Sequence, residues 1–113
     1  MTDYVSLIKN LGAAGAPVED EGEVEQPFFA VKGRVIKVHG EHVQVFEYRS
    51  AADTDAQAAL VSPSGSAVGT MKPHWMGPPH FYKKARLLVL YIGDNARVLA
   101  TLEALLGRQF AGQ

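Results

Sequence analysis

Apolar positions fall into two periods along the chain, one near 3.6 residues and one of two, and together they predict an α+β domain. From Asp3 to Leu11 the residues Tyr4, Leu7, Ile8 and Leu11 share one helical face. Thr2 suits the N-cap and Gly12 the stop. Gly12 to Pro17 breaks the helix. The acidic stretch from Glu19 to Glu25 alternates around Val18 and Val24, which predicts an edge strand whose like charges discourage pairing with another molecule. Gly33 to Val38 and His42 to Tyr48 then read as the arms of a hairpin turning at His39-Gly40-Glu41. In the second arm Val43 and Val45 point one way, and Gln44, Phe46 and Tyr48 the other. Apolar groups on both faces place this arm inside the sheet.

Ser50-Ala51-Ala52-Asp53 has capping-box spacing, with Asp in the usual Glu or Gln position. The helix it opens should bury Ala52, Ala56, Ala59 and Leu60 and end at Ser62-Pro63-Ser64-Gly65. A short strand from Ser66 to Met71 follows, then a proline-rich bend from His74 to Tyr82. The chain turns through Lys83-Lys84-Ala85 into the apolar run from Arg86 to Ile92, read as a central strand covered on both faces. Asp94 opens the last helix, Val98, Leu99, Leu102, Leu105 and Leu106 form its buried stripe, and Gly107 ends it. The order is α-β-β-β-α-β-β-α. The expectation is one α+β domain over residues 1–113, a mostly antiparallel five-stranded sheet with three helices on one side.

Composition narrows the function classes. The chain has 113 residues, 47% of them hydrophobic and 20% charged, enough to fold around a single core. It contains no cysteine, which excludes disulfides, thiolate metal sites and a cysteine nucleophile. The run Leu87 to Ile92 is far too short for a membrane span, and no signal-peptide pattern opens the chain. The chain as it stands reads as cytoplasmic, and as a cell-envelope protein if a leader preceded it. Net charge is −1, with −5 on residues 1–30 and +4 on residues 71–113. That is no nucleic-acid footprint, and it suggests that the two ends lie close enough for their fields to cancel.

Few residues suggest chemistry. His39 and His42 flank Gly40-Glu41, but their offset across a tight turn does not fix the rings toward one zinc ion, and solvated turn histidines explain them better. Gly65-Ser66-Ala67-Val68-Gly69 has serine at the second position, where a nucleophile elbow needs it at the third. The glycines at 65 and 69 lack the Lys-Ser or Lys-Thr of a P-loop. Neither a metal nor a cofactor is expected. The distinctive segment is His74 to Tyr82, where His74, Trp75, Met76, His80, Phe81 and Tyr82 surround Gly77, Pro78 and Pro79. Aromatics stiffened by proline lose little entropy on binding, which suits recognition of a small molecule or protein; the competing explanation is that they close one end of the core.

Pro78-Pro79-His80-Phe81-Tyr82 with Arg86 to Gly93 resembles a pattern in a group of small bacterial envelope proteins, often lipoproteins. Gln26-Pro27-Phe28-Phe29, Val43 to Tyr48, Ala59 to Pro63 and Phe110-Ala111-Gly112 fit the same pattern, so the resemblance runs from about Leu11 onward. It implies membership and no particular reaction. Two departures are the missing lipoprotein signal and spacer, and the histidines at a turn that commonly carries small polar residues. The reading that follows is a non-catalytic binding module using the His74–Tyr82 segment. The alternatives are a small hydrolase or metal-dependent enzyme using His74 and His80, with Glu41 or Tyr82 assisting, and a homodimer formed by edge-strand pairing.

Overall fold

The computed structural model describes residues 3–113. Leu87–Ile92 (β5) lies fourth in a six-stranded sheet, and five of its six residues are buried. A strand with apolar groups on both faces needs cover from both sides, and the fold supplies it. On one face Leu7 and Leu11 of α1 (Tyr4–Ala13) and Val98, Leu102 and Leu106 of α3 (Ala96–Leu106) pack on Leu87, Val89 and Tyr91. On the other, Leu88 and Leu90 meet Phe29, Ala58 of α2 (Ala51–Ala58), Val61, Val68 and Ala111. The helices therefore occupy both sides of the sheet, correcting the expectation of one. The second side combines one eight-residue helix with the irregular segments 25–32 and 59–78.

The other strands are β1 (Glu19–Val24), β2 (Gly33–Val38), β3 (Glu41–Glu47), β4 (Pro79–Lys84) and β6 (Ala111–Gly112). Every pairing is antiparallel, in the order β1-β2-β3-β5-β4-β6. The α+β class and the mostly antiparallel sheet are as the sequence predicts, with six strands in place of five.

Local chemistry explains the ends of these elements. Asp3 caps α1: its carboxylate accepts from the Ser6 backbone N–H at 2.9 Å, and the Ser6 hydroxyl accepts from the Asp3 N–H at 3.1 Å. The Ser6 backbone and hydroxyl bonds hold the Asp3 carboxyl below its usual range. The cap expected at Thr2 lies outside the described residues. Asn95, one residue past the expected Asp94, caps α3 by accepting from the Arg97 and Val98 N–H groups. The β2–β3 loop is the pair His39-Gly40, with φ of 49° and 82°, the left-handed backbone that a tight two-residue hairpin turn requires.

Two strand assignments move. Ser66 to Met71 is no strand: Val68 makes isolated bridges to Val61 and Met71 within a compact loop. The missing strand is β4, hidden behind its prolines. Pro79 can begin it because its pairing with Ile92 needs no proline N–H: the bond toward β5 runs from the Gly93 N–H to the Pro78 carbonyl at 3.0 Å, and the Pro79 carbonyl accepts from the Gln113 N–H at 3.0 Å, on the β6 side. The C-terminal strand β6 pairs with His80 and Phe81, and it approaches so closely that a Cβ on Gly112 would overlap the Pro79 carbonyl. In α2 the buried positions are Thr54 and Ala58, while Ala52, Ala56, Ala59 and Leu60 face solvent. The alanine-rich face carries too little apolar area to outcompete Thr54, whose hydroxyl is satisfied by the Ser50 carbonyl at 3.1 Å.

The terminal helices α1 and α3 share one core cluster, but the acidic stretch and the basic strand β4 do not neutralise one another directly. Acidic β1 forms one edge, and β4, with Lys83 and Lys84, lies four positions away, roughly 19 Å at normal strand spacing. The β1 carboxylates find partners on their neighbours. Asp20 pairs with Arg34, and Glu21 stands 3.5 Å from the Lys37 ammonium. A Gly22 bulge between Asp20 and Glu23 bends this edge, a second obstacle to edge-to-edge pairing.

Leu88→Ala should destabilise the fold by about 2–5 kcal/mol, because Leu88 is fully buried and the void cannot refill from a central strand; urea denaturation measures it. Burial pushes the Tyr48 and Tyr82 hydroxyls up to about 12, Tyr82 helped by nearby Glu103. Their neutral forms thus favour the folded state fully below pH 10, the ordinary tyrosine value, and that stability is lost as pH rises toward about 12. Ultraviolet titration should show tyrosinate absorbance appearing late and together with unfolding.

Candidate functional site

The sheet divides the His74–Tyr82 segment. His80, Phe81 and Tyr82 belong to β4 and are buried, with alternate side chains on opposite faces. Phe81 enters the α2-side core and Tyr82 the α1/α3-side core. His80 pairs in register with Tyr91 and stacks on its ring, with centroids 6.0 Å apart and planes 21° from parallel. It therefore sits on the α3 side. Its Nδ1 lies 2.6 Å from Gln109 Oε1 and its Nε2 2.9 Å from the Gly93 carbonyl oxygen. These two contacts fasten the C-terminal segment and the β5 exit to β4. Three of the six candidate residues are thus structural in position.

The remaining three, His74, Trp75 and Met76, lie on the opposite face. They line an open groove of about 430 Å³ together with Gln26, Pro27, Phe28, Met71, Lys72, Pro73 and Ile92. Its floor is rigid. Trp75 is half-buried and donates its indole N–H to the Gly65 carbonyl at 2.8 Å. Its ring meets Phe28 and Phe81 edge-on, at 5.8 and 6.0 Å between centroids. Phe28 packs against Phe29, and Phe29 against Phe46, so the aromatic series runs from the groove into the core. Edge-to-face geometry of this kind fixes ring orientation beyond what area burial achieves. The rim is different: Met76 is 96% exposed and Met71 43%.

The histidines do not converge. His74 lies at the groove and His80 behind the sheet, so the two cannot act on one substrate. Glu41 accepts from the Tyr91 hydroxyl at 2.8 Å, on the His80 side. His39 bonds Thr101 of α3 at 3.0 Å. His42 points across the other face toward Glu21, 3.8 Å away. Among the described residues no three histidine or carboxylate groups stand close enough to hold a metal ion.

Sequence reasoning singled out Trp75 and Met76 but missed Gln26, Pro27 and Phe28, which form the opposite wall. The Pro27-Phe28-Phe29 cluster was the available signal, since two adjacent phenylalanines after a proline outside any periodic element need a packing partner. A larger depression of about 580 Å³ adjoins the groove and shares Gln26 and Pro27 with it. Comparison with protein-family models, with curated proteins and with solved structures found no match. Among the described residues no helix is long and apolar enough to cross a membrane.

His80→Ala should cost about 1–2 kcal/mol by removing two half-buried hydrogen bonds, and amide exchange should speed up first in residues 107–113. Unchanged protection there would mean that β6 holds without the imidazole.

Proposed function

We propose that this chain is a non-catalytic binding module and that the groove between segments 25–32 and 69–78 is its recognition surface. The observation carrying this reading is where its surplus apolar surface lies. Among the described residues the large hydrophobic side chains that stand exposed are Val5, Leu60, Met71 and Met76, and the last two share this groove. Scattered exposed apolar residues are ordinary, but a cluster against a preorganised aromatic floor is what binding sites display. Methionine adds adaptability, because its unbranched thioether chain follows a ligand's shape at little strain. Trp75 meanwhile is held by Gly65, Phe28 and Phe81, so binding requires little ordering of the floor.

The rival enzyme reading needs His74 and His80 in one cleft, and the sheet stands between them. The homodimer reading needs an open sheet edge: the bulge and carboxylates of β1 oppose pairing there, and β6 at the other edge has only two residues. The groove supports binding better than either.

An environment-sensitive naphthalene sulfonate dye should bind the native chain and quench Trp75, the chain's single tryptophan. Replacing both methionines, Met71→Ser with Met76→Ser, should weaken that binding by about tenfold or more, as expected for lost apolar contact area. The thermal midpoint should stay near its original value because both side chains are exposed. Equal dye affinity in the double variant, or a Trp75 signal unmoved by dye in the native chain, would defeat the assignment.

A further inference from the structure

Charge at the groove narrows its occupant, on the premise that the groove is the recognition surface. Four basic side chains elsewhere in the molecule stand beside carboxylates: Arg34 with Asp20, Lys37 with Glu21, Lys83 with Asp55 and Arg86 with Glu47. The two depressions that continue the surface carry both signs of charge, one lined by Lys32 and Glu25, the other by Arg49 and Asp53. The groove carries one. Its charged or chargeable lining residues are Lys72 and His74, with no carboxylate among them. Both are exposed, and neither makes a hydrogen bond or ion pair among the described residues.

Shape adds a second restriction. The groove is open along one side, whereas pockets for small ligands normally bury about 70–90% of the ligand surface. A small amphiphile would stay largely wet in it. A protein segment brings its own neighbouring surface to close the open side, and the adjoining depression, sharing Gln26 and Pro27, lets such a segment run on.

We infer that the groove receives an acidic segment of a partner protein, with one apolar side chain seated among Phe28, Met71 and Met76 and a neighbouring carboxylate beside Lys72. The apolar anchor supplies most of the affinity. The carboxylate supplies selectivity against basic segments, because a like charge at Lys72 is repelled while an opposite one is steered in.

Two end-blocked, fluorescein-labelled peptides test it, one alternating Leu with Glu and one alternating Leu with Lys, with decanoate as a small carboxylate competitor. Anisotropy should show saturable binding of the Glu peptide, about fivefold or more tighter than the Lys peptide, with the gap narrowing at high salt. Lys72→Glu should reverse the preference, and its exposed position keeps the fold intact. Equal affinity for both peptides, insensitive to Lys72→Glu while dye still binds, overturns the acidic partner and leaves the apolar groove standing. Decanoate binding without peptide binding overturns it in favour of a small ligand. Loss of dye and peptide binding together would instead remove the recognition surface itself.

Discussion

The two-sided burial of β5 is the constraint on which the molecule depends. Leu87, Val89 and Tyr91 face α1 and α3, while Leu88 and Leu90 face α2 and the loops, so neither layer can leave without exposing the same strand. Strand β3 repeats the arrangement with Val43 and Val45 on one side and Phe46 on the other. A sheet with two greasy faces needs two covers. Two helices with strong apolar stripes make the first. The second is assembled from one short helix, the Phe28-Phe29 turn and the Val61–Trp75 loop, and its incompleteness is what leaves a groove at the surface.

Much of this was legible in the sequence, and the misreadings have physical causes. The Arg86–Ile92 run, the His39-Gly40 hairpin and the Leu7/Leu11 and Val98/Leu102/Leu106 stripes carry strong periodic signals because packing selects them directly. Strand β4 was hidden because Pro78 and Pro79 read as interruption, when the pair marks only its beginning. Strand β6 has two residues, too few to carry a period. The face of α2 was misjudged because Thr54 reaches the core by satisfying its own hydroxyl on Ser50, a solution invisible to a pattern that counts only apolar residues.

The candidate site was half legible. Composition marked the His74–Tyr82 segment as unusual, which it is, but register decides which of its members reach solvent. Alternation along β4 sends His80 and Tyr82 toward α3 and Phe81 toward α2, while the residues before the strand stay at the surface. The wall contributed by Gln26, Pro27 and Phe28 comes from a distant stretch, and no local pattern joins it to Trp75. Only the closed sheet does.

The position of the single tryptophan has a practical consequence for how this molecule is watched. Trp75 sits in the loop-built layer, bonded to Gly65 and wedged between Phe28 and Phe81, whereas α1 and α3 lie on the far side of the sheet. Its emission therefore reports the irregular cover, and far-ultraviolet dichroism reports chiefly the helical one. If the irregular cover loosens ahead of the helices, the two optical signals will part on heating, and their separation will measure how independently the two sides of one strand can breathe.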